Sequence, residues 1–483
     1  MTNLRWGDDL HGSGCLEELK ALSESDGKLS IRLTTFGYNT NKNEHRFTLG
    51  KVIGVIGPYD ESEPDSFVLG RRMVPNLNQQ GSPSNQINFF DGWVDEQKSS
   101  VLIDLGNALP LTNDLELQDL GDLQLAVLKD VNTLESDTLS KDDGFVALGD
   151  LIPYRTADWL SKTAGIWSAP FLTNQLELIS EHPLALIKML DSDHGEVLIR
   201  ESIDGLLVRA DKFVQRVEST QTADLKLYAS RYGKPLPDTS VSIEFSDPEN
   251  PSGGRGYGPG SPKARIPWTD WPKEALKNLP LKLKTNPAGQ AELSIETEDP
   301  KNPRDYIDGQ LYTLQYLLEG QEKIQKHSLD AIYILLFDAY QIPEKPTWVE
   351  HIHPIFQQYG NLYPIMSKRL VDLGDYGSVR ENRAILELAF SRDIHDPNYM
   401  PVNRDLSNAK RLTILRWLRE QYANGSYIMR LGQLKPKREE KAPPAIQETS
   451  VKSLSLEPET EDYTIAHGYE NFKIALRQNQ SHS

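Results

Sequence analysis

The sequence predicts a multidomain, mostly β protein with two β domains, a small all-α domain and a polar tail. Three observations predict it. Between residues 29 and 340 apolar residues recur in short runs, rich in Val, Ile, Leu and Tyr and punctuated by Gly, Pro, Asn and Asp. From Thr347 the apolar spacing changes to steps of three and four, the period of a helix face. Beyond Gly432 the chain is rich in Pro, Glu and Ser, with seven basic and eight acidic residues, a composition too polar to bury a core.

Residues 1–28 are read as an N-terminal segment. Cys15 stands there beside a helix start, Leu16-Glu17-Glu18-Leu19. Helix starts can activate thiols, but a buried or incidental cysteine is the expectation. Residues 29–220 are read as a β-rich domain, on runs such as Leu29-Ser30-Ile31-Arg32-Leu33, Lys51-Val52-Ile53-Gly54-Val55-Ile56, Ser100-Val101-Leu102-Ile103-Asp104-Leu105 and Leu123-Gln124-Leu125-Ala126-Val127-Leu128. Each alternates or nearly so, which lets one face be buried. Trp159, Trp167 and Phe171 lie in a Pro-flanked stretch that reads as a covering loop or short helix rather than a ladder strand.

Residues 221–325 are read as an immunoglobulin-like β-sandwich. Asp224-Leu225-Lys226-Leu227-Tyr228-Ala229-Ser230-Arg231-Tyr232, a Gly233-Lys234-Pro235 turn and Val241-Ser242-Ile243-Glu244-Phe245 give strand, turn, strand. Further runs follow at Leu281–Lys284, Ala291–Ile295 and Gly309–Tyr316, with a turn at Asn286-Pro287-Ala288-Gly289. The Gly- and Pro-rich insertion 248–262 reads as a mobile loop. It lacks the Gly-Lys-Ser/Thr and the following helix of a P-loop.

Residues 326–430 are read as the small all-α domain, with Ile355, Phe356, Tyr359, Leu362 and Tyr363 on one helix face, then Ile385, Leu388 and Ala389, then Leu412, Leu415 and Leu418. Ser407 is placed to cap the last helix. Residues 431–483 are read as a disordered tail with a short docking helix at Tyr469 to Leu476.

The 483 residues suffice for two to four domains. One cysteine excludes a disulfide scaffold, and 52 Lys+Arg against 70 Asp+Glu, net charge −18, argues against general nucleic-acid binding. No apolar run is long enough to cross a membrane, and the N-terminus lacks a secretory apolar core. The expectation is a soluble, acidic, cytoplasmic protein.

Few residues offer chemistry. Glu350 and His353 form a Glu-x-x-His pair, one third of the ligand set of a ferritin-like di-iron centre, which needs a second pair and two more glutamates. No second pair exists in the chain. Glu350 and His353 are therefore the metal candidates, and a bound metal is not expected. Gly-x-Ser-x-Gly and His-Glu-x-x-His are also absent. Trp268 and Trp271, beside the insertion, are candidates for an aromatic binding groove, against the plainer reading that they pack on the sandwich.

His353-Pro354-Ile355-Phe356-Gln357-Gln358-Tyr359-Gly360-Asn361-Leu362-Tyr363-Pro364 resembles the haem-attachment region of small cytochrome c domains. Tyr399-Met400-Pro401-Val402 and Ile414-Leu415-Arg416-Trp417-Leu418 resemble the Met-Pro segment and terminal helix of the same fold. Gly360, Tyr363 and Pro364 stand where the two thioether cysteines and the axial histidine would be. Met400 alone cannot hold a haem. The resemblance implies a haem-less cytochrome c-like domain with Tyr359, Tyr363 and Trp417 filling its core.

A wider resemblance joins several blocks: Gly54-Val55-Ile56-Gly57, Gly70-Arg71-Arg72-Met73-Val74-Pro75, Val101 to Pro110, Asp119-Leu120-Gly121-Asp122-Leu123, Tyr363-Pro364-Ile365-Met366 and Tyr399 to Ser407. Together they resemble the non-ferritin region of iminophenyl-pyruvate dimer synthases, which couple oxidised tryptophan-derived units in violacein, rebeccamycin and staurosporine biosynthesis. Family members continue into a ferritin-like metal-binding domain after the Met-Pro block. A polar tail follows here, so no metal ligand is carried over.

The resemblance implies an accessory or scaffold protein of secondary metabolism. It would work with a separate oxidoreductase or ferritin-like protein partner, through the tail and the glycine loop. No cofactor is expected. The alternatives are a metal-dependent oxidoreductase in its own right and a ligand-binding β-sandwich protein.

Overall fold

Among the described residues of a computed structural model, the apolar runs pair into five β-sheets followed by a helical region. The structure describes residues 4–7, 12–24, 26–39, 41, 43–75, 87–112, 115–245, 272–304, 307–321, 331–362 and 370–433. The insertion 248–262, Trp268, Trp271, Tyr363 and the tail from 434, with its expected docking helix, lie outside the described residues. No helix among the described residues is long and apolar enough to cross a membrane.

The first two sheets face each other. One holds four strands in the order Arg71–Met73, Phe90–Asp95, Ser100–Asp104, Ile166–Pro170. The other holds five, in the order Thr138–Ser140, His194–Arg200, Leu184–Met189, Asp122–Leu128, Phe145–Leu148. Met73, Val101, Ile103 and Ala169 meet Leu123, Leu125, Val127, Leu184 and Leu186 in the core between them. Ala126, Leu128, Ala185, Ile187, Val197 and Phe145 form a second cluster on the outer face of the five-stranded sheet. Burial on both faces explains why the run 123–128 is almost continuously apolar. Gln124, the polar exception, is buried with its amide donated to the Gly149 carbonyl at 2.7 Å.

The Trp159–Phe171 stretch divides between the expected structure and another. Trp159–Thr163 is a short helix, but Trp167 lies in a ladder strand, opposite Ile103. The expectation of no strand here is corrected by that pairing. Ser100–Asp104 is central in its sheet and needs partners on both edges to satisfy its backbone groups.

The second pair of sheets encloses its own core. One sheet runs Leu206–Ala210, Thr222–Arg231, Gln290–Thr297, Leu276–Lys277. The other runs Val214–Val217, Ala331–Leu336, Gln310–Leu318, Ser240–Phe245, Lys282–Lys284. Along Gln310–Leu318 every second residue is buried, placing Tyr312, Leu314, Tyr316 and Leu318 inside. The two sheets recruit strands on both sides of the expected 221–325 span, because Val214–Val217 pairs in parallel with Ala331–Leu336. At the turn Asn286-Pro287-Ala288-Gly289, Gly289 has φ +71°, and an added Cβ would lie 2.5 Å from the Ala229 carbonyl oxygen. Only glycine fits there.

Leu29–Phe36 and Lys51–Pro58 form a separate antiparallel hairpin, with Ile31, Leu33, Val52, Val55 and Ile56 exposed.

A buried ion pair joins Arg71, at the start of strand Arg71–Met73, to Glu201, the residue after strand His194–Arg200. Nε of Arg71 lies 2.9 and 2.8 Å from the two carboxylate oxygens of Glu201, and its Nη1 donates to the Ile179 carbonyl. Glu201 also accepts the Leu184 N–H at 2.7 Å. The guanidinium lies 5.2 Å from the centre of the Tyr232 ring.

The helical region comprises a π-helical turn at Trp348–Ile352 and helices His353–Leu362, Tyr376–Glu381, Arg383–Ser391 and Asn408–Arg419. Ser407 caps the last, accepting the Lys410 N–H as its sequence position predicts. Aromatic rings dominate the core: Trp348 lies 5.8 Å from Trp417, 5.7 Å from Tyr376 and 6.1 Å from Phe356, and Phe356 stacks on Phe390 at 5.9 Å. Tyr359 and Trp417 are buried.

Helix Arg383–Ser391 differs from the reading of its apolar face. Ile385 and Leu388 are exposed, while Leu386 and Phe390 point into the core. The helix carries apolar residues over a wide arc, and periodicity alone cannot say which part of such an arc meets the core.

Candidate functional site

The exposed arc of helix Arg383–Ser391 does not face open solvent throughout. It forms one wall of an apolar pocket of about 210 Å³. Ile385, Leu386, Ala389 and Phe390 supply that wall, Tyr359 comes from helix His353–Leu362, and Leu370, Val371 and Leu373 come from the segment before Tyr376. Met400, Pro401 and Val402 close the opposite side. The Tyr359 hydroxyl donates to the Asp405 carbonyl at 3.1 Å, so the phenol presents its ring while its polar end is satisfied. Such a surface takes an apolar group and has no side chain poised for acid–base chemistry.

The structure does not join the sequence-predicted site residues into one site. Glu350 is exposed and bonds to the Thr347 hydroxyl at 3.4 Å. His353 lies with its ring 5.4 Å from that of Trp348. His351, between them, accepts the Thr347 N–H on Nδ1 at 3.1 Å. Among the described residues no three His, Cys, Asp or Glu side chains form a group able to hold a metal ion. Cys15 is exposed in the first turn of helix Gly14–Ser23. Met400, singled out within the Met-Pro segment, does reach the pocket.

A polar seam between the second pair of sheets and the helical region escaped the sequence reading. Lys410 Nζ pairs with the buried Asp308 at 2.9 Å, and the Asp308 N–H donates to Gln358 Oε1 at 3.1 Å. The Gly309 N–H donates to Asp338 at 3.1 Å, and the Asn408 N–H donates to Glu218. The Asp308-Gly309 turn signal was visible, but its partner lies about a hundred residues further on.

Burial raises the carboxyls of Glu218, Asp338 and Asp405 above the ordinary range, and in each case the charge of Asp308 adds to the effect. A raised folded-state value means that the native protein binds these protons more tightly than the unfolded chain. Their contribution to stability is therefore full below the ordinary carboxylate value and lost as pH rises through the raised values. We expect a higher melting temperature at about pH 5 than at about pH 7. Asp338→Asn with Asp405→Asn should flatten that difference. A wild-type melting temperature that falls on acidification over this interval would contradict the assignment.

No protein-family model matches the chain, and no curated protein matches it. Solved structures give distant likenesses. A two-domain protein of unknown function from Bacteroides fragilis aligns at 14% identity over 28% of this chain and 46% of its own, with a TM-score of 0.19. The D00-D0 domain of intimin aligns at 11% identity over 45% of this chain and all of its own, also at 0.19. Domains 4 and 5 of the S-layer protein SbsC align at 9% identity over 46% of this chain and all of their own, at 0.16. The chain thus spans about half the length of the Bacteroides protein, and TM-scores this low establish neither a common fold nor a common activity.

Proposed function

We propose that the protein is an accessory or scaffold subunit, related to the non-catalytic part of iminophenyl-pyruvate dimer synthases and acting in the cytoplasm beside a separate oxidoreductase or ferritin-like partner. On this reading the second pair of sheets is an immunoglobulin-like sandwich and the helical region is a cytochrome c-like domain without haem. The observation that carries it is the apolar pocket, whose rim leaves Leu370 72%, Ile385 54% and Val402 52% exposed. Clustered apolar side chains on a surface mark places where another molecule is bound.

The test is sedimentation of the purified chain with any ferritin-like or amino-acid-oxidising enzyme that a neighbouring gene encodes. A complex is expected, weakened at least about tenfold by Leu370→Asp with Ile385→Asp, since an interface core does not tolerate unpaired charge. Absence of a complex with the wild-type chain counts against the reading. Stoichiometric metal that disappears in Glu350→Gln would instead favour a metal-dependent oxidoreductase.

The pocket also favours a second reading, a carrier of a small uncharged ligand. Its volume of about 210 Å³ exceeds the roughly 150 Å³ of a dry cavity that holds benzene. Saturable enhancement of a neutral naphthylamine dye, abolished by Ala389→Trp, would support it.

A further inference from the structure

A second cavity, of about 610 Å³, opens between the second pair of sheets and the helical region, and its chemistry is the opposite of the apolar pocket's. Four arginines line it, Arg216, Arg392, Arg404 and Arg411, against two carboxylates, Glu218 and Asp393. In a chain of net charge −18 that concentration of guanidinium runs against the global charge.

Two of the four are held in place by their own neighbours. Arg404 donates from Nε to the Ile394 carbonyl at 3.1 Å, from Nη2 to the Asp396 carbonyl at 2.9 Å, and from Nη1 to that of Val402. Arg411 donates from Nη1 to the Phe390 carbonyl at 3.1 Å, and from Nη2 and Nε to Asn408 Oδ1 at 2.8 and 3.3 Å. A guanidinium carries five N–H donors, so these bonds fix orientation and leave donors uncommitted. Arg392 pairs with Asp396 at 3.6 Å, and its buried Nε has no hydrogen-bond partner among the described residues. Glu218 accepts the backbone N–H of Asn408, the first residue of a twelve-residue helix. The chain thus already places an anion at that helix start, a position suited to one.

We propose that this cavity binds a doubly charged oxyanion, the phosphate group of a small phosphorylated metabolite. Guanidinium groups match phosphate oxygens in pairs, and several arginines together suit its second charge better than a lone carboxylate would. The volume exceeds that of a bare phosphate, and Phe337 and Leu406 give an apolar wall for the rest of the molecule.

Calorimetric titration of the full chain with inorganic pyrophosphate, at fixed ionic strength and with citrate in parallel, tests the proposal. Saturable pyrophosphate binding is expected. Arg216→Gln, at an exposed position, should weaken it about tenfold, the worth of one charge-assisted hydrogen bond. Glu218→Gln keeps an acceptor for the Asn408 N–H but removes the competing charge, and should tighten binding several-fold. Circular dichroism checks that both variants fold; should Arg216→Gln fail that check, Glu218→Gln carries the test. Absence of saturable binding in both wild type and Glu218→Gln, or indifference to a folded Arg216→Gln, overturns the site. Citrate binding tighter than pyrophosphate overturns the phosphate assignment in favour of a polycarboxylate.

Discussion

Arg71→Met is expected to destabilise the protein by about 3–5 kcal/mol, the usual result of removing one partner from a buried ion pair. The Arg71 residue is 1% exposed and Glu201 4%. Without the guanidinium, Glu201 keeps only the Leu184 N–H as a named donor, and the Ile179 carbonyl loses its bond from Arg71. An uncompensated carboxylate is then left in a low-dielectric setting. The double variant Arg71→Met with Glu201→Leu should regain most of the loss, because apolar replacement of a whole buried pair is often neutral or better. Urea unfolding of wild type, single and double variants measures this. A single variant within about 1 kcal/mol of wild type would show the pair to be solvated, with the surface-pair value that implies.

Trp417→Ala should cost a similar amount, about 3–5 kcal/mol, but locally. Trp417 is fully buried, packs on Trp348 at 5.8 Å and Tyr376 at 6.3 Å, and donates from Nε1 to the Arg430 carbonyl at 3.0 Å. Its removal leaves a void among rings that cannot collapse to fill it, and takes one of two donors from the Arg430 carbonyl, which keeps the Trp348 N–H at 2.8 Å. The two β cores share no buried residue with the aromatic cluster. Far-ultraviolet circular dichroism should therefore show the helical signal melting below the β signal in this variant. Coincident transitions at the wild-type temperature would mean that Trp417 is dispensable.

How much was legible followed from the range of the interactions. The strands at 29–36, 51–58, 100–104, 122–128 and 290–297 were readable because alternation and turn residues act over a few positions. Ser407 was readable as a cap for the same reason. Trp167 was not, since its strand exists to complete the ladder of Ser100–Asp104, some sixty residues earlier. Ile385 and Leu388 share a helix face as their spacing says, but that face is not the buried one: both are exposed, and Ile385 lines a pocket whose other walls run from Leu370 to Leu373 and from Met400 to Val402. The Arg71–Glu201 pair, the Asp308–Lys410 pair and the arginine cavity carried no local signal.

The sequence by itself determined the mostly β class, the change to helices after Thr347 and several turns, because backbone preference and apolar period are properties of neighbouring residues. Only the tertiary structure decided which apolar faces are buried, which charges lose their water and where cavities remain. Those outcomes depend on groups brought together from distant parts of the chain, where a carboxylate at 308 meets an ammonium at 410 and burial sets the energy of both.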